Sequence, residues 1–207
     1  MQTEKLILAT GADAIVVSSG DMEDIPLHKA LNPRLLAECL VPGDKVAVLG
    51  GSHSAIHVLR NLADIPEVEV FNFYRSPVKF AVKDQSGQYI LWDNSGLKGI
   101  TKEWAAKHMH HQERLTRISI SDPDHVGCLE KCNQVVSAVG FVPRDGLLKP
   151  GMKYDPHSGI LAPRLFGVGI GFPKEVVDKF GHRELNVGVW KFMNFLNEVF
   201  PLWEMYH

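Results

Sequence analysis

The residues with the clearest chemical potential lie between Val46 and Leu62, where the chain reads VAVLGGSHSAIHVLRNL. An apolar run, a group of small residues and an amphipathic stretch follow one another, which predicts a strand, a tight turn and a helix. The first turn of a helix carries unpaired N–H groups and a partial positive charge, so it can hold a pyrophosphate without basic side chains. The candidate residues for such a site are Gly50, Gly51, Ser52, His53, Ser54 and Ala55.

The loop departs at one position from the glycine fingerprint of dinucleotide-binding proteins. In that fingerprint a first glycine permits the turn, a second lets phosphate approach the backbone, and a small third residue lets the helix pack on the strand. Gly50 and Ala55 fill the first and third positions, whereas Ser52 replaces the second and adds a hydroxyl donor. Because such a loop alone is weak evidence, two interpretations stay open: a nucleotide loop, or a corner between strand and helix that holds no ligand.

The next predicted strand, VEVFNFY at 68–74, ends in residues that bear on the choice of nucleotide. NAD sites usually carry an acidic residue near this strand end, whereas an arginine there accommodates the 2′-phosphate of NADP. Arg75 follows the strand and offers a bidentate donor fork, Ser76 offers a hydroxyl, and Lys79 is close behind. Glu69 lies too early, inside the strand. The pattern favours NADP(H), and the alternative is that Arg75 is a solvated loop arginine.

The cysteine and histidine residues do not form a catalytic or metal-binding pattern. Cys39 stands alone, and Cys128 and Cys132 are separated by three residues, which fits neither a redox Cys-x-x-Cys motif nor a zinc knuckle. We expect three ordinary thiols. The histidines within 108–111 have no carboxylate or cysteine to complete a metal site, so we interpret them as a solvated helix end. Without a nucleophile–base pair or paired carboxylates, we expect no catalytic residue that works without a cofactor.

The composition is that of an ordinary soluble globular protein. The 207 residues are 45% hydrophobic and 22% charged, with a formal net charge of -2. This balance gives no electrostatic footprint for nucleic acid, and no apolar run reaches the length of about 18 residues that a membrane span needs. Three cysteines and no recognisable signal peptide predict a cytoplasmic location. We therefore expect a dinucleotide as the partner, and neither nucleic acid nor a membrane.

The elements that must position the loop follow from the spacing of apolar residues. Strand, helix and strand follow one another over residues 45–74, which predicts a right-handed parallel βαβ unit. Residues 75–99 are long for a bare connector, so we interpret them as a functional loop or a small hairpin insertion. Further buried strands are predicted at 5–9, 134–141 and 164–172, and an edge strand at 117–121.

Two more helices are predicted beyond the loop. Thr101 is the expected N-cap of a helix over 101–111. The last helix, within LNVGVWKFMNFLNEVF, has a broad apolar face. The residues of that face are Val189, Phe192, Met193, Phe195, Leu196 and Phe200.

Four stretches, taken in order, resemble a known family. They are LILATGA at 6–12, VAVLGGSHSA at 46–55, VVSAVGFVPR at 135–144 and LFGVGIGFP at 165–173. Their order resembles that of the pyridine nucleotide-disulfide oxidoreductases and the flavin-dependent monooxygenases. The resemblance implies an α/β fold, a three-layer Rossmann-like FAD/NAD(P)-binding domain with a central parallel sheet. It also implies three regions: a remnant of an FAD-domain strand and connector at 1–40, an NAD(P)-binding domain at 41–146, and a returning FAD-like segment and helix at 147–207.

The function implied by this resemblance is that of an oxidoreductase in which NADPH transfers hydride to a flavin. In the family, a strand ending in an Ala-Thr-Gly motif closes the first part of the FAD domain, and LILATGA resembles it here. A second such motif closes the NADP domain, and VVSAVGFVPR resembles it, which adds Ala138, Val139 and Gly140 to the expected cofactor-binding residues. Two departures bear on FAD: the family's glycine-rich FAD unit does not precede the first motif, and Gly169 is followed by Ile170 where the family has aspartate.

These departures lead to two expectations. FAD is expected to bind only if its missing half is supplied elsewhere, for instance by a partner chain, and a homo-oligomer is the other arrangement considered. The alternative function is a non-catalytic nucleotide-binding or regulatory protein that has lost flavin chemistry. Direct reduction of a substrate by NADPH ranks last, because no Tyr-x-x-x-Lys or comparable acid is present.

Overall fold

The computed structural model describes residues 4–17, 20–83, 89–90, 96–144, 146, 148, 151–177, 181 and 183–206. Its strands are β1 (Leu6–Leu8), β2 (Ala12–Ala14), β3 (Glu23–Asp24), β4 (Lys45–Leu49), β5 (Glu69–Tyr74), β6 (Val82–Lys83), β7 (Tyr89–Ile90), β8 (Leu115–Ser119), β9 (Gln134–Ser137), β10 (Phe141–Pro143), β11 (Ile160–Ala162), β12 (Leu165–Gly167), β13 (Lys174–Val177) and β14 (Arg183–Asn186). Its helices are α1 (Leu27–Ala30), α2 (Pro33–Ala37), α3 (His53–Ala63), α4 (Gly99–His108), α5 (His125–Leu129) and α6 (Val189–Met205), and Met109–His111 forms a 3-10 turn.

The chain divides into two compact units. One, which we call the loop unit, comprises Ala14–Leu91 and Ser95–Gly140 and contains the predicted nucleotide loop. The other, the terminal unit, combines the residues up to Asp13 with those from Phe141 onward.

The loop unit is built on a five-stranded sheet in the order β3-β9-β4-β5-β8. Every neighbouring pair of strands in it is parallel. The predicted unit of β4, α3 and β5 is therefore present, and β8 lies at the edge of the sheet as predicted. The predicted α/β class with a central parallel sheet is confirmed.

Alternating residues of the strands bury both faces of this sheet, as expected for parallel strands covered on two sides. On one face Val46 and Val48 pack with the inner side of α3, where Ala55, Val58 and Leu62 are buried. On the other face a smaller cluster brings together Ala47, Phe73, Ile118, Cys132 and Val135, with Cys128 and Leu129 against it. Helices on both faces give the three layers.

The connector over 75–99 contains the predicted small hairpin, because β6 and β7 pair antiparallel. Ala81 N–H donates to Leu97 O at 3.0 Å, which ties this segment to the residues just before α4. The rest of the connector, at 84–88 and 91–95, lies outside the described residues.

The terminal unit contains a three-stranded sheet in the order β1-β12-β11, a two-stranded sheet of β2 and β10, and a hairpin of β13 and β14. Its main core packs Phe166, Phe195, Val199 and Trp203 together. The strands predicted at 5–9 and 164–172 are present as β1 and β12, and they pair in parallel. However, Leu6 and Ile7 are exposed and Leu8 alone of the three is buried, because β1 lies at the sheet edge.

The predicted N-cap of α4 is wrong. The helix begins at Gly99 with Lys98 as its N-cap, so Thr101 lies inside the first turn. Its hydroxyl donates to Lys98 O at 2.8 Å, three residues back. A threonine hydroxyl can bond a preceding carbonyl in this way, and it then belongs to the helix rather than to its cap.

The apolar face named for the last helix is only partly buried. The fully buried residues of α6 are Phe195, Val199 and Trp203, spaced four apart, whereas Val189, Met193 and Phe200 are exposed. Apolar residues occur nearly all round this helix, so their spacing alone could not decide which row is buried. The helix also continues through Pro201 to Met205, five residues beyond the last residue of the predicted face.

No helix in the described part of the chain has the length and apolar character that crossing a bilayer requires.

Candidate functional site

The first glycine of the loop is required by its surroundings. Gly50 follows β4 with a φ of 130°, a region that favours glycine. A Cβ atom at this position would lie 2.4 Å from Ala138 O and 3.4 Å from the Cβ of Ala55. The backbone of Ala138 is held in place because its N–H donates to Leu49 O at 2.8 Å. Three sequence-predicted site residues, Gly50, Ala55 and Ala138, are thus brought together.

The second glycine lies against the end of the neighbouring strand. A Cβ at Gly51 would lie 3.2 Å from the Cβ of Tyr74 and 3.5 Å from Ser76 O. The loop and the tip of β5, predicted separately to contact the same nucleotide, are therefore adjacent. Arg75, Ser76 and Lys79 are all exposed at this tip.

Ser52 is the N-cap of α3 but does not cap it with its side chain. Its φ of −108° and ψ of −166° are extended values that any residue adopts, so no glycine is needed here for the backbone. The side chain makes no capping hydrogen bond and is exposed. The first turn of α3 therefore keeps its N–H groups and positive dipole end unsatisfied by a side-chain cap, as an anion site requires.

His53, a predicted pyrophosphate contact, is engaged on one side by the protein. Its Nε2 accepts a hydrogen bond from Lys98 N–H at 3.2 Å, which requires the ring to be neutral at that atom. Burial lowers the pKa of His53, and the positive charge of Lys98 and the neighbouring His57 lower it further. The neutral ring then carries its proton on Nδ1.

This environment predicts how stability responds to acid. In the unfolded chain His53 takes up a proton at its ordinary pKa of about 6.5, whereas the folded chain resists protonation until a lower pH. Unfolding is then coupled to proton uptake below about pH 6.5, so stability decreases as the pH falls through that window and levels off below the folded-state pKa. His57 acts in the same direction, because burial and Arg60 lower its pKa.

We expect His53→Gln to lose less stability than the parent between about pH 7 and pH 5. The glutamine oxygen can still accept from Lys98 N–H but does not titrate. Urea unfolding midpoints at the two pH values measure the difference, and His110→Gln at an exposed position is the control. A pH dependence of His53→Gln equal to that of the parent would contradict the assignment.

The remaining predicted cofactor residues follow Ala138. Val139 is 44% exposed. Gly140 has a φ of 125°, and its carbonyl accepts a hydrogen bond from Ile15 N–H at 3.0 Å. These two residues form the turn after β9. The turn lies at the carboxyl end of the parallel strands, as the loop after β4 does.

Two residues near the loop were missed by the sequence analysis. Asn72 is fully buried in β5, and its side chain bonds the carbonyls of Val48 and Gly50. Arg117, opposite it on β8, donates from Nε to Asn72 Oδ1 at 3.0 Å and stacks over the Tyr74 ring at 4.3 Å. An asparagine inside the apolar strand VEVFNFY was the available signal, since a buried amide must be hydrogen-bonded.

No cluster of three or more potential metal ligands is found among the described residues. Burial raises the pKa of the Cys132 thiol to about 11, so at neutral pH it is almost entirely in the unreactive thiol form.

Comparison with known proteins identifies the fold to which this geometry belongs. No protein-family model matches the chain. The monooxygenase AgnR1 of Paecilomyces divaricatus is 32% identical over 235 residues, which cover 96% of this chain and 59% of that protein. A FAD-dependent pyridine nucleotide-disulphide oxidoreductase from Desulfovibrio vulgaris matches 100% of this chain and 55% of its own, with a TM-score of 0.56 at 14% identity. The chain has the fold of this flavoenzyme family.

Two further solved structures agree with the flavoenzyme fold. A flavin monooxygenase mutant from Stenotrophomonas maltophilia has a TM-score of 0.52 and 13% identity, over 97% of this chain and 62% of that chain. Putidaredoxin reductase, in its covalent complex with putidaredoxin, has a TM-score of 0.53 and 11% identity, over 95% and 50%. The family resemblance inferred from the four ordered stretches is confirmed. The chain spans 59% of the length of its sequence relative, so the flavoenzyme fold is shown for that portion.

Proposed function

We propose that the chain provides the NADP(H)-binding part of a flavin-dependent oxidoreductase. The observation that carries this proposal is the pair of glycines at the uncapped N-terminus of α3. Side chains at Gly50 and Gly51 would meet Ala138 and the tip of β5, and the helix end behind them has no side-chain cap. The sequence relative, itself named a monooxygenase, supports the same assignment.

In this proposal three groups of residues in the loop unit contact different parts of the nucleotide. Residues 50–55 hold the pyrophosphate through backbone N–H groups and the helix dipole. Arg75, with Ser76 and Lys79, binds the 2′-phosphate at the exposed tip of β5. Ala138, Val139 and Gly140 line the turn after β9. NADPH supplies hydride for a flavin when both are bound.

The three regions predicted from the resemblance are part of the same proposal. Residues 41–146 would form the NAD(P)-binding domain, with FAD-like segments at 1–40 and 147–207. FAD would need contacts from residues outside these 207, in a partner chain or elsewhere in a longer protein.

The choice of NADPH over NADH can be tested at Arg75. We expect Arg75→Ala to weaken NADPH binding by about tenfold or more, because a charge-assisted hydrogen bond contributes about 1.5–3 kcal/mol. NADH lacks the 2′-phosphate, so its affinity should not change. Isothermal titration calorimetry of both nucleotides with parent and variant measures this.

Arg34→Ala is the matched control, because Arg34 is an exposed arginine that pairs with Glu38 on α2, a different element from the β5 tip. It should bind both nucleotides as the parent does. Equal affinity of the parent for NADH and NADPH, or an unchanged NADPH affinity of Arg75→Ala, would sink the 2′-phosphate assignment.

A second candidate function is a non-catalytic nucleotide-binding or regulatory protein. It is favoured by the turn after β12, where Gly169 is followed by Ile170 rather than by a carboxylate. A Cβ at Gly171 would lie 2.5 Å from Gly11 O, and Phe172 is 2% exposed, so this turn is filled by the protein's own packing. Yellow flavin absorbance in the purified protein would exclude this candidate, and NADPH binding without flavin would favour it.

A further inference from the structure

The buried amide of Asn72 can adopt only one orientation. Its Nδ2 lies 3.0 Å from Val48 O and 2.7 Å from Gly50 O, and two carbonyls can only accept. Its Oδ1 lies 3.0 Å from Nε of Arg117, which can only donate. All three partners therefore agree on which end of the amide is NH₂.

This orientation fixes the first peptide of the nucleotide loop. Gly50 N–H donates to Phe73 O at 2.8 Å, and Gly50 C=O accepts from Asn72. In a trans peptide the carbonyl and the following N–H point in opposite directions. With Gly50 C=O directed at Asn72, Gly51 N–H is directed away from it, and no backbone acceptor for Gly51 N–H is found among the described residues.

Arg117 brings a positive charge to the far end of this chain of hydrogen bonds. Its guanidinium stacks on the Tyr74 ring, and Nη2 is buried without a hydrogen-bond partner in the described part of the chain. A cation at the oxygen of an amide makes the NH₂ a stronger donor, and the effect passes along hydrogen bonds in series. Arg117, Asn72 and Gly50 form such a series that ends at Gly51 N–H.

We propose that Arg117 and Asn72 are positioning residues, which orient and polarise the Gly50–Gly51 peptide so that Gly51 N–H binds an anionic phosphate. This inference rests on the proposed function and deepens it, because it names the residues behind the pyrophosphate contact. The contact does not involve the 2′-phosphate. The two predicted phosphate contacts therefore respond to different substitutions.

The test compares Arg117→Met and Arg117→Lys with the parent in titrations with NADPH, NADH and ADP. Methionine removes the charge and the donor, so the affinity for all three ligands should decrease by about fivefold. The ratio of NADPH to NADH affinity should not change. Lysine keeps the charge and should recover most of the affinity. Arg75→Ala should instead change the ratio.

Arg114→Met is the matched control. Arg114 lies just before β8 and donates to the carbonyls of Ala63, Ile65 and Val68, at the opposite end of α3 from the loop. Its removal costs structural hydrogen bonds without touching the Asn72 series, so nucleotide affinity should remain that of the parent.

A second readout needs no nucleotide. In ¹⁵N-labelled ligand-free protein, the Gly51 amide proton should move upfield in Arg117→Met and stay close to the parent position in Arg114→Met. If Arg117→Met does not fold, Arg117→Lys and Asn72→Leu carry the same comparison.

The outcomes separate the two proposals. A parent that binds NADPH together with an Arg117→Met variant of equal affinity and unshifted Gly51 amide overturns the positioning role alone. A parent that binds no dinucleotide overturns the proposed function, and the positioning role with it.

Discussion

Replacing Gly50 with alanine is expected to destabilise the chain by about 3 kcal/mol or more. Two effects add at this position. The φ of 130° is one that L-residues rarely adopt. The new Cβ would also lie 2.4 Å from Ala138 O, and the backbone of Ala138 is held in place because its N–H donates to Leu49 O. Relief would require β4 and β9 to separate, so nucleotide binding should be lost as well.

Gly43→Ala is the control that separates backbone strain from steric overlap of the new Cβ. Gly43 has a φ of 92°, and a Cβ there would meet nothing within 4 Å. It should cost about 1 kcal/mol, which is the backbone strain alone. Urea unfolding of both variants, followed by circular dichroism, measures the difference. If the two variants were equally stable, the contact between Gly50 and Ala138 would not be the constraint we describe.

Trp203→Ala is expected to destabilise the terminal unit by about 3–5 kcal/mol, as large-to-small changes in a core do. Trp203 is 2% exposed and stacks on Phe166 with ring centroids 4.7 Å apart. Its Nε1 donates to Ser158 O at 2.6 Å, so truncation leaves a cavity and an unpaired carbonyl together.

Trp190→Ala on the same helix is the control for this prediction. Trp190 is 81% exposed, so its loss should change stability by less than about 0.5 kcal/mol. Thermal unfolding of the two variants in the same buffer compares them directly. A Trp190→Ala variant as unstable as Trp203→Ala would mean that the buried row of α6 is not the one described.

The sheet of the loop unit could be predicted because its strands are short apolar runs separated by turn residues. Residues 45–74 read as strand, helix and strand without ambiguity, and β8 and β9 were found from the same signal. Helix details were harder. The buried row of α6 depends on which neighbour it packs against, and Thr101 is an N-cap type of residue that bonds backward instead.

The candidate loop could be located from sequence because an apolar run, a group of small residues and an amphipathic stretch follow one another over residues 46–62. What the sequence could not supply is the register between β5 and β8, which places Arg117 directly opposite Asn72. The two residues are 45 positions apart, and nothing local in either indicates the other. His53 is a similar case, since its partner Lys98 belongs to a separate helix.

The position of β9 in the sheet limits the order in which the strands can pair while the chain is being translated. β9 lies between β3 and β4, although the chain reaches it almost ninety residues after β4. In a nascent chain β4, β5 and β8 can therefore pair first, whereas β3 can pair only after β9 has been synthesised. In the folded structure the Asn133 side chain, just before β9, donates to Asp44 Oδ1 at 2.7 Å, just before β4. Ala138 follows β9 directly, so the backbone that contacts Gly50 is among the last parts of the loop unit to be translated.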